Sequence, residues 1–471
     1  MDQIVVVPST SSAPLIRPHR DGVVVAAVVL AAVVYQLCAT MPTPATNDMI
    51  NRLHTTGAMV GLTQAVFYLV CGLVAVIVVA YSAYSDRRRL IVGCLVVTCA
   101  GLVLAAIATN VYTLMLARAM QGASGATFPL ALSILRQTLP AKKFGQATGI
   151  ITAAYGGIAG VDSLLAGWLT DEYGFRAIFM VIAVGGIGAV LAVARGLPAL
   201  PGTAQGRMDW WGAVTLCLGL IVVEIGVGSA SSAPLASVIA AVGIGLVLLV
   251  VFWLVERSRE NPLVPTRALR SRKMWPLLLT SIFTLVSYIS VVTFTIPVLS
   301  QNTQHGYGFS ATLSALLFLV PVCAINVLLA PFAGHLAPRI GWRRLLHAGL
   351  ACMIPIQVIM ALGVQSRWLI FVAVPVLGTF ASGAALTAVN GLSVILSPKE
   401  NPSLLPGVNA VCFGIGASLG IALAGQIVTH GGSSIAGFRD ALWMSVGVGV
   451  LAFLVSLAVA GTGSDSSGER V

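Results

Sequence analysis

The chain has 471 residues, of which 58% are hydrophobic and only 9% are charged, and its mean hydropathy is +0.97. Soluble domains carry roughly a quarter charged residues, so this composition excludes an ordinary water-soluble fold. The net charge of +11 is spread between the apolar runs rather than gathered into one basic patch, which argues against a nucleic-acid partner.

Long apolar runs without alternation predict membrane-spanning helices, because barrel strands are about 10 residues long and alternate in polarity. The sequence therefore predicts an all-α membrane protein with fourteen spans. They cover residues 22 to 41, 57 to 81, 90 to 109, 112 to 134, 147 to 169, 175 to 195, 210 to 229, 236 to 256, 274 to 298, 311 to 337, 344 to 363, 368 to 394, 404 to 429 and 441 to 461.

The basic residues predict the orientation, because Lys and Arg in short loops stay on the cytoplasmic side during insertion. With both termini in the cytoplasm, 21 of the 26 Lys and Arg residues are cytoplasmic. We therefore predict a multi-pass protein of a bacterial inner membrane with both termini inside.

Two segments divide the chain into three parts. Residues 197 to 206 are rich in Pro and Gly, and residues 256 to 273 form the most charged stretch. They predict an N-terminal six-helix bundle over 1–196, a linker with two accessory spans over 197–272, and a C-terminal six-helix bundle over 273–471. Two pseudo-symmetric bundles around a central site are typical of secondary transporters.

A short basic turn recurs at the end of the second span of each block. The first copy runs from Ser82 to Arg89, and the second runs from Gly334 to Arg344. The fourth span also contains the pattern R-x-x-Q-G, formed by Arg118, Gln121 and Gly122.

These motifs resemble the major facilitator superfamily, specifically its fourteen-helix drug:H+ antiporter branch. The accessory pair opens with D-W-x-G at Asp209 and closes with E-R-x-x-x-x-P-L at Glu256, as in that branch. The resemblance implies the major facilitator fold, with cytoplasmic loops that stabilise the state closed to the cytoplasm. The loop residues concerned are Asp86, Arg87, Arg88, Gly334, Arg339, Gly341, Arg343 and Arg344.

Two positions depart from the branch. The first-helix acid is replaced by Val33, and the fifth-helix pattern G-P-x-x-G-G aligns with Asp162 to Gly167, which contains no proline. Both departures are compatible with an alternative to drug antiport, namely a facilitator or importer of a specific metabolite.

Three ionisable residues lie well inside predicted spans, where each costs several kcal/mol unless it has a partner or a role: Arg118, Asp162 and Glu224. The first two lie at similar depth on neighbouring helices, so we expect Asp162 to be the protonatable acid and Arg118 its partner, with a permanent structural ion pair as the alternative. Glu224 lies in an accessory helix, where a contact with the core or snorkelling toward the surface is expected.

Uncharged polar residues in the core spans are candidates for lining the translocation path, although hydrogen bonds between helices explain them equally well. They are Gln36, Gln121, Tyr155, Asn326, Asn390 and Asn409. The sequence has no nucleotide-binding P-loop and no clustered metal ligands, so we expect neither a cofactor nor a metal nor enzymatic activity.

The sequence thus predicts a monomeric exporter of small amphipathic organic compounds, driven by protons and surrounded by membrane lipid. A facilitator or importer of a specific metabolite is one alternative. A non-transporting membrane receptor is an alternative of another class.

Overall fold

The computed structural model describes residues 21–202, 208–230, 233–259, 271, 274–397 and 404–459. Within these residues the chain is helical throughout. The first block comprises α1 (Asp21–Thr40), α2 (Thr46–Arg52), α3 (Gly57–Tyr81), α4 (Arg87–Ala106), α5 (Val111–Gln121), α6 (Thr127–Thr138), α7 (Ala141–Tyr173) and α8 (Phe175–Gly196).

The accessory pair follows, and the second block then repeats the helical pattern. These helices are α9 (Trp210–Gly228), α10 (Leu235–Glu256), α11 (Trp275–Ile289), α12 (Ile296–Gln301), α13 (Ala311–Ser314), α14 (Val320–Ile340), α15 (Trp342–Leu362), α16 (Arg367–Gly378), α17 (Thr387–Ile395), α18 (Leu404–His430) and α19 (Ile435–Ser456).

Twelve stretches of the described helices are long and apolar enough to cross a membrane, so the full predicted count of fourteen is not supported. The predicted span 112–134 is divided, because a 3-10 turn at Gly122–Ala126 separates α5 from α6 and leaves two helices of 11 and 12 residues. The predicted span 147–169 falls in α7, whose 33 residues include side chains outside the described part of the chain.

Several helices change from α-helix to π-helix partway along their length. Five to eight residues of π-helix join α11 to α12, α13 to α14 and α16 to α17, at Ser290–Thr295, Ala315–Leu319 and Thr379–Leu386. Such π-bulges are found frequently at functional sites. All three lie in the second block.

Hydrogen bonds from the basic turns connect the ends of helices within each block. Asp86 caps α4 by accepting a hydrogen bond from the amide of Arg88 (2.9 Å), and it also accepts one from the amide of Leu200 after α8 (3.1 Å). The Arg88 guanidinium donates to the carbonyl of Ala194 on α8. In the second turn Arg343 donates to the carbonyl of Leu457 (2.8 Å). These contacts join ends of helices in one block.

The remaining predicted gating residues are less constrained. Arg87 donates to Gln137 (3.1 Å), while Arg339 is exposed. Gly341 ends α14 with a φ of 94°, a conformation that favours glycine. The surroundings of Gly334 lie outside the described side chains.

The opposite end of the helices brings the two blocks together. We call it the Asp171 end, because the carboxylate of Asp171 at the end of α7 accepts hydrogen bonds from the amides of Ala311 (2.9 Å) and Thr312 (2.8 Å) and from the Thr312 hydroxyl (2.5 Å). Nearby, the amide of Ala58 donates to the Thr429 hydroxyl (2.8 Å). The Asp171 end is therefore closed by contacts between blocks.

Candidate functional site

Arg118 is the largest fully buried side chain among the described residues, with 1% of its surface exposed. Its guanidinium donates to the carbonyl of Cys38 (2.8 Å), to Oε1 of Gln121 (2.7 Å) and to Oε1 of Gln64 (2.5 Å). It also lies 4.1 Å from the ring centre of Phe67, within range of a cation–π interaction. This charge is thus held by oxygen acceptors from α1, α3 and its own helix.

The R-x-x-Q-G motif explains this local structure. Residues three apart share a helical face, so Gln121 accepts from Arg118 and also donates to the carbonyl of Gly101 on α4 (3.2 Å). Gly125, in the following 3-10 turn, lies against α3 so closely that a Cβ atom there would be 2.3 Å from the carbonyl oxygen of Cys71. The motif therefore positions a charged helix against its neighbours.

Asp162 on α7 is 3% exposed and contacts α1. Its Oδ2 lies 2.5 Å from the hydroxyl oxygen of Thr40, and its Oδ1 accepts from the Ser163 hydroxyl (3.2 Å). The same Thr40 hydroxyl lies 2.8 Å from the carbonyl oxygen of Gln36. Thr40 therefore stands between two acceptors with a single hydrogen to donate.

The expected ion pair between Arg118 and Asp162 is wrong, because within the described chain the two side chains have separate partners. Arg118 contacts Cys38 and Asp162 contacts Thr40, two residues further along α1. The first contact is to a backbone carbonyl and the second is to a side-chain hydroxyl, both near the end of α1. The two side chains therefore bind different groups of α1 rather than each other.

Asn326 of the second block lies on a helix that contacts α7. A Cβ atom at Gly160 on α7 would lie 3.1 Å from Cβ of Cys323 on α14, so these helices meet directly. Asn326 lies one turn after Cys323 and so shares its face, and its buried Oδ1 has no hydrogen-bond partner. Asp162 and Asn326 are thus on helices that touch across the two blocks.

Asn390 and Asn409, both path candidates, form a pair. The Asn409 amide donates to Oδ1 of Asn390 (3.0 Å), and Oδ1 of Asn409 is buried without a partner. The side chain of the remaining candidate, Tyr155, lies outside the described part of the chain. The candidates therefore divide into Arg118 with Gln121, Asp162 beside Gln36, and the asparagines of the second block.

Sequence reasoning missed Thr40, Ser163 and Asp171. The first two are hydroxyls whose role depends on the neighbouring carboxylate, and Asp171 lies just outside a predicted span. A usable signal existed for Asp171, since an acid at the end of a spanning helix can cap the start of a helix in another block. Its partners are separated from it by about 140 residues, which sequence periodicity does not connect.

Comparison with known proteins agrees with this architecture. The chain is 33% identical over 450 residues to a uridine/deoxyuridine transporter of Lactococcus lactis subsp. cremoris, covering 92% of this chain and 93% of that protein. It is 26% identical over 355 residues to the multidrug resistance protein Stp of Mycobacterium tuberculosis, covering 73% of this chain and 64% of that protein.

Among solved structures, a bacterial homologue of the human lysosomal transporter Spinster, inward-facing and unoccupied, has a TM-score of 0.67 at 18% identity. The match covers 94% of this chain and 98% of that one, and at this identity it concerns the fold alone. Residues 28–400 match the family described as Major Facilitator Superfamily. The chain is therefore a multi-pass membrane transporter that belongs to the Major Facilitator Superfamily.

Proposed function

We propose that the chain transports nucleosides or similarly hydroxylated small solutes by alternating access, coupled to protons at Asp162. The observation that carries this proposal is a set of buried oxygen acceptors on helices of both blocks. Oδ1 of Asn326 and Oδ1 of Asn409 are buried without a hydrogen-bond partner, and the buried carboxylate of Asp162 lies on α7, which contacts the helix that carries Asn326.

An acceptor left unpaired in a buried site costs about 1–3 kcal/mol, so such a site favours a ligand that brings hydrogen-bond donors. A nucleoside has donors in its sugar hydroxyls and its base. The 33% identity to a uridine/deoxyuridine transporter, over nearly the whole chain, supports the same solute class. A purely apolar compound would leave these oxygens unpaired and would be disfavoured.

The position of Thr40 supports proton coupling. When Asp162 is ionised, the Thr40 hydrogen is drawn to the carboxylate. When Asp162 is protonated, the acid donates to the Thr40 oxygen, and Thr40 donates to the carbonyl of Gln36. A proton on Asp162 thus reverses one hydrogen bond between α7 and α1, two helices of the first block that would transmit the change.

The spanning count and topology complete the proposal. We propose that α5 with α6 and α7 also cross the membrane, which gives fourteen spans in a six-plus-two-plus-six arrangement with both termini cytoplasmic. The Asp171 end would then face outward, and the structure would correspond to a state closed to the outside. The basic turns would tighten the cytoplasmic end in the opposite state, and the protein would act as a monomer in the inner membrane.

Transport by purified protein in lipid vesicles tests the proposal. We expect saturable uptake of radiolabelled uridine, competition by deoxyuridine, and a rate that depends on an imposed pH gradient. Thr113→Ala, on the first turn of α5, serves as the control variant and should transport uridine at the wild-type rate. Absence of uridine and deoxyuridine transport by a folded, correctly inserted protein would reject the nucleoside class.

Multidrug efflux is the second candidate. It is favoured by the motifs of the accessory pair and by the relatives named as multidrug proteins, at 22% to 26% identity. The same vesicles loaded with a lipophilic cationic dye distinguish the two candidates. Proton-driven dye movement without uridine movement would support efflux of amphipathic compounds.

A further inference from the structure

The accessory helix α9 lies over the seam between the two blocks. α3 of the first block and α18 of the second pack along each other, and a Cβ atom at Gly72 would lie 3.3 Å from Cα of Gly414. Leu73 of α3 and Leu220 of α9 belong to one buried apolar cluster, which also includes Phe252 of α10. Relative movement of the blocks must therefore alter the surroundings of α9.

The polar contacts of α9 at this seam go to α18. The Ser418 hydroxyl donates to Oε2 of Glu224 (3.1 Å), and the Gln426 amide donates to the carbonyl of Gly228. Ser418 and Gln426 are eight residues apart and so lie near one face of α18. Toward α3 the contact at this level is apolar, between Gly228 and Leu62.

Glu224 is 2% exposed, and its Oε1 is buried without a hydrogen-bond partner. Among the described residues no cation pairs with it, and Ser418 is the group that donates to it. Other titratable or charged groups occur on its own helix and on the three packed helices. They are Cys217 on α9, Glu256 on α10, Tyr68, Cys71 and Tyr81 on α3, and Cys412 and His430 on α18.

We propose that Glu224 is a proton-binding site that fastens the accessory helix to α18 when it is protonated and releases this attachment when it is ionised. As an acid, Glu224 donates its own hydrogen to the Ser418 oxygen, and the Ser418 hydroxyl donates to the carbonyl of Ile415 (3.1 Å). As a carboxylate, it is a buried charge with a single neutral donor, which costs several kcal/mol in the membrane interior.

Loss of the proton to water thus favours an arrangement in which Glu224 gains water or further donors. Because Oε2 is bonded to α18, the arrangement given up is the docked one. This inference concerns the accessory pair and does not depend on the solute, so it stands or falls separately from the nucleoside proposal.

Infrared difference spectra of the full chain in lipid vesicles, recorded between acidic and alkaline pH, test proton binding. We expect a carboxylic acid C=O band that disappears at alkaline pH, is absent from Glu224→Gln and shifts in frequency in Ser418→Ala. Glu172→Gln, at an exposed position, should retain the band. A wild-type band in Glu224→Gln would overturn the proposal.

Hydrogen–deuterium exchange of α9 peptides tests the attachment. After correction for the intrinsic pH dependence, we expect exchange in α9 to increase several-fold at alkaline pH in the wild type. Glu224→Gln, which remains neutral, should hold α9 at the low rate at both pH values. Equal pH dependence in the variant and the wild type would show that the proton does not control docking.

Discussion

Thr312 donates two hydrogen bonds to Oδ2 of Asp171, from its amide (2.8 Å) and its hydroxyl (2.5 Å), and so joins the second block to the first. Together with the amide of Ala311 on Oδ1, three donors meet two carboxylate oxygens. Asp171→Asn offers one acceptor in place of two, so we expect it to open this end. Increased alkylation of Asn47→Cys, a position that contacts Val298 across the blocks, would report the opening.

The control for this variant is Glu172→Gln at the next position, which is exposed. It removes one negative charge from the same region and should leave alkylation at the wild-type level. Equal increases in both variants would indicate an effect of charge rather than of the Thr312 contact.

The Asp171 contact should also depend on pH. Burial raises the pKa of this carboxyl, but the hydrogen bonds from Thr312 and Ala311 outweigh burial, and the pKa is lowered from its usual value of 3.8. A lowered pKa means that the stabilisation is fully present above the unfolded value and is lost as pH falls through the folded value. Closure should therefore be constant at neutral pH and weaken only in acid below about pH 4, as measured by the same alkylation.

Asp162→Asn should abolish the dependence of transport on a pH gradient while leaving exchange of solute across the membrane. The amide cannot take part in the proton-dependent reversal at Thr40. Thr40→Val removes the hydroxyl and keeps the carboxyl, so coupling should be weakened and its pH dependence shifted. Uptake in vesicles with and without a gradient measures both variants. Wild-type coupling in a folded Asp162→Asn protein would remove this acid from the mechanism.

Arg118→Ala should strongly destabilise the protein. It leaves the carbonyl of Cys38 and the amide oxygens of Gln64 and Gln121 without their donor, at about 1–3 kcal/mol for each buried acceptor. Arg118→Lys retains a charge and should cost less. Thermal unfolding in detergent gives the order; a melting temperature of the alanine variant equal to that of the wild type would contradict it.

Gly125→Ala should destabilise packing between the 3-10 turn and α3 by about 1–3 kcal/mol, because the added methyl would overlap the backbone at Cys71. Gly93→Ala on α4 is the matched control, since nothing lies within 4 Å of a Cβ atom there. Alanine in a helix is favoured over glycine by about 1 kcal/mol, so this control should be neutral or slightly stabilising. Thermal unfolding separates the two, and similar melting temperatures would refute the close contact.

Much of the architecture follows from local sequence properties. Apolar runs of spanning length predicted the helical membrane fold, and the R-x-x-Q spacing correctly placed Arg118 and Gln121 on one face. Twelve of the fourteen predicted spans have a matching spanning stretch in the structure. The other two fall in α7 and at the 3-10 turn that divides α5 from α6. That turn depends on close packing of Gly122 and Gly125 against α3, which no hydropathy pattern contains.

The partners of the buried charges were decided by tertiary structure alone. Sequence position determines how deep Arg118 and Asp162 lie along their helices, but not how neighbouring helices are rotated about their axes. Arg118 binds the Cys38 carbonyl and Asp162 binds the Thr40 hydroxyl, so the two charges have different partners on α1. Glu224 shows the same division: its depth in lipid could be read from the chain, while its contact with Ser418, nearly 200 residues away, arises only where α9 lies against α18.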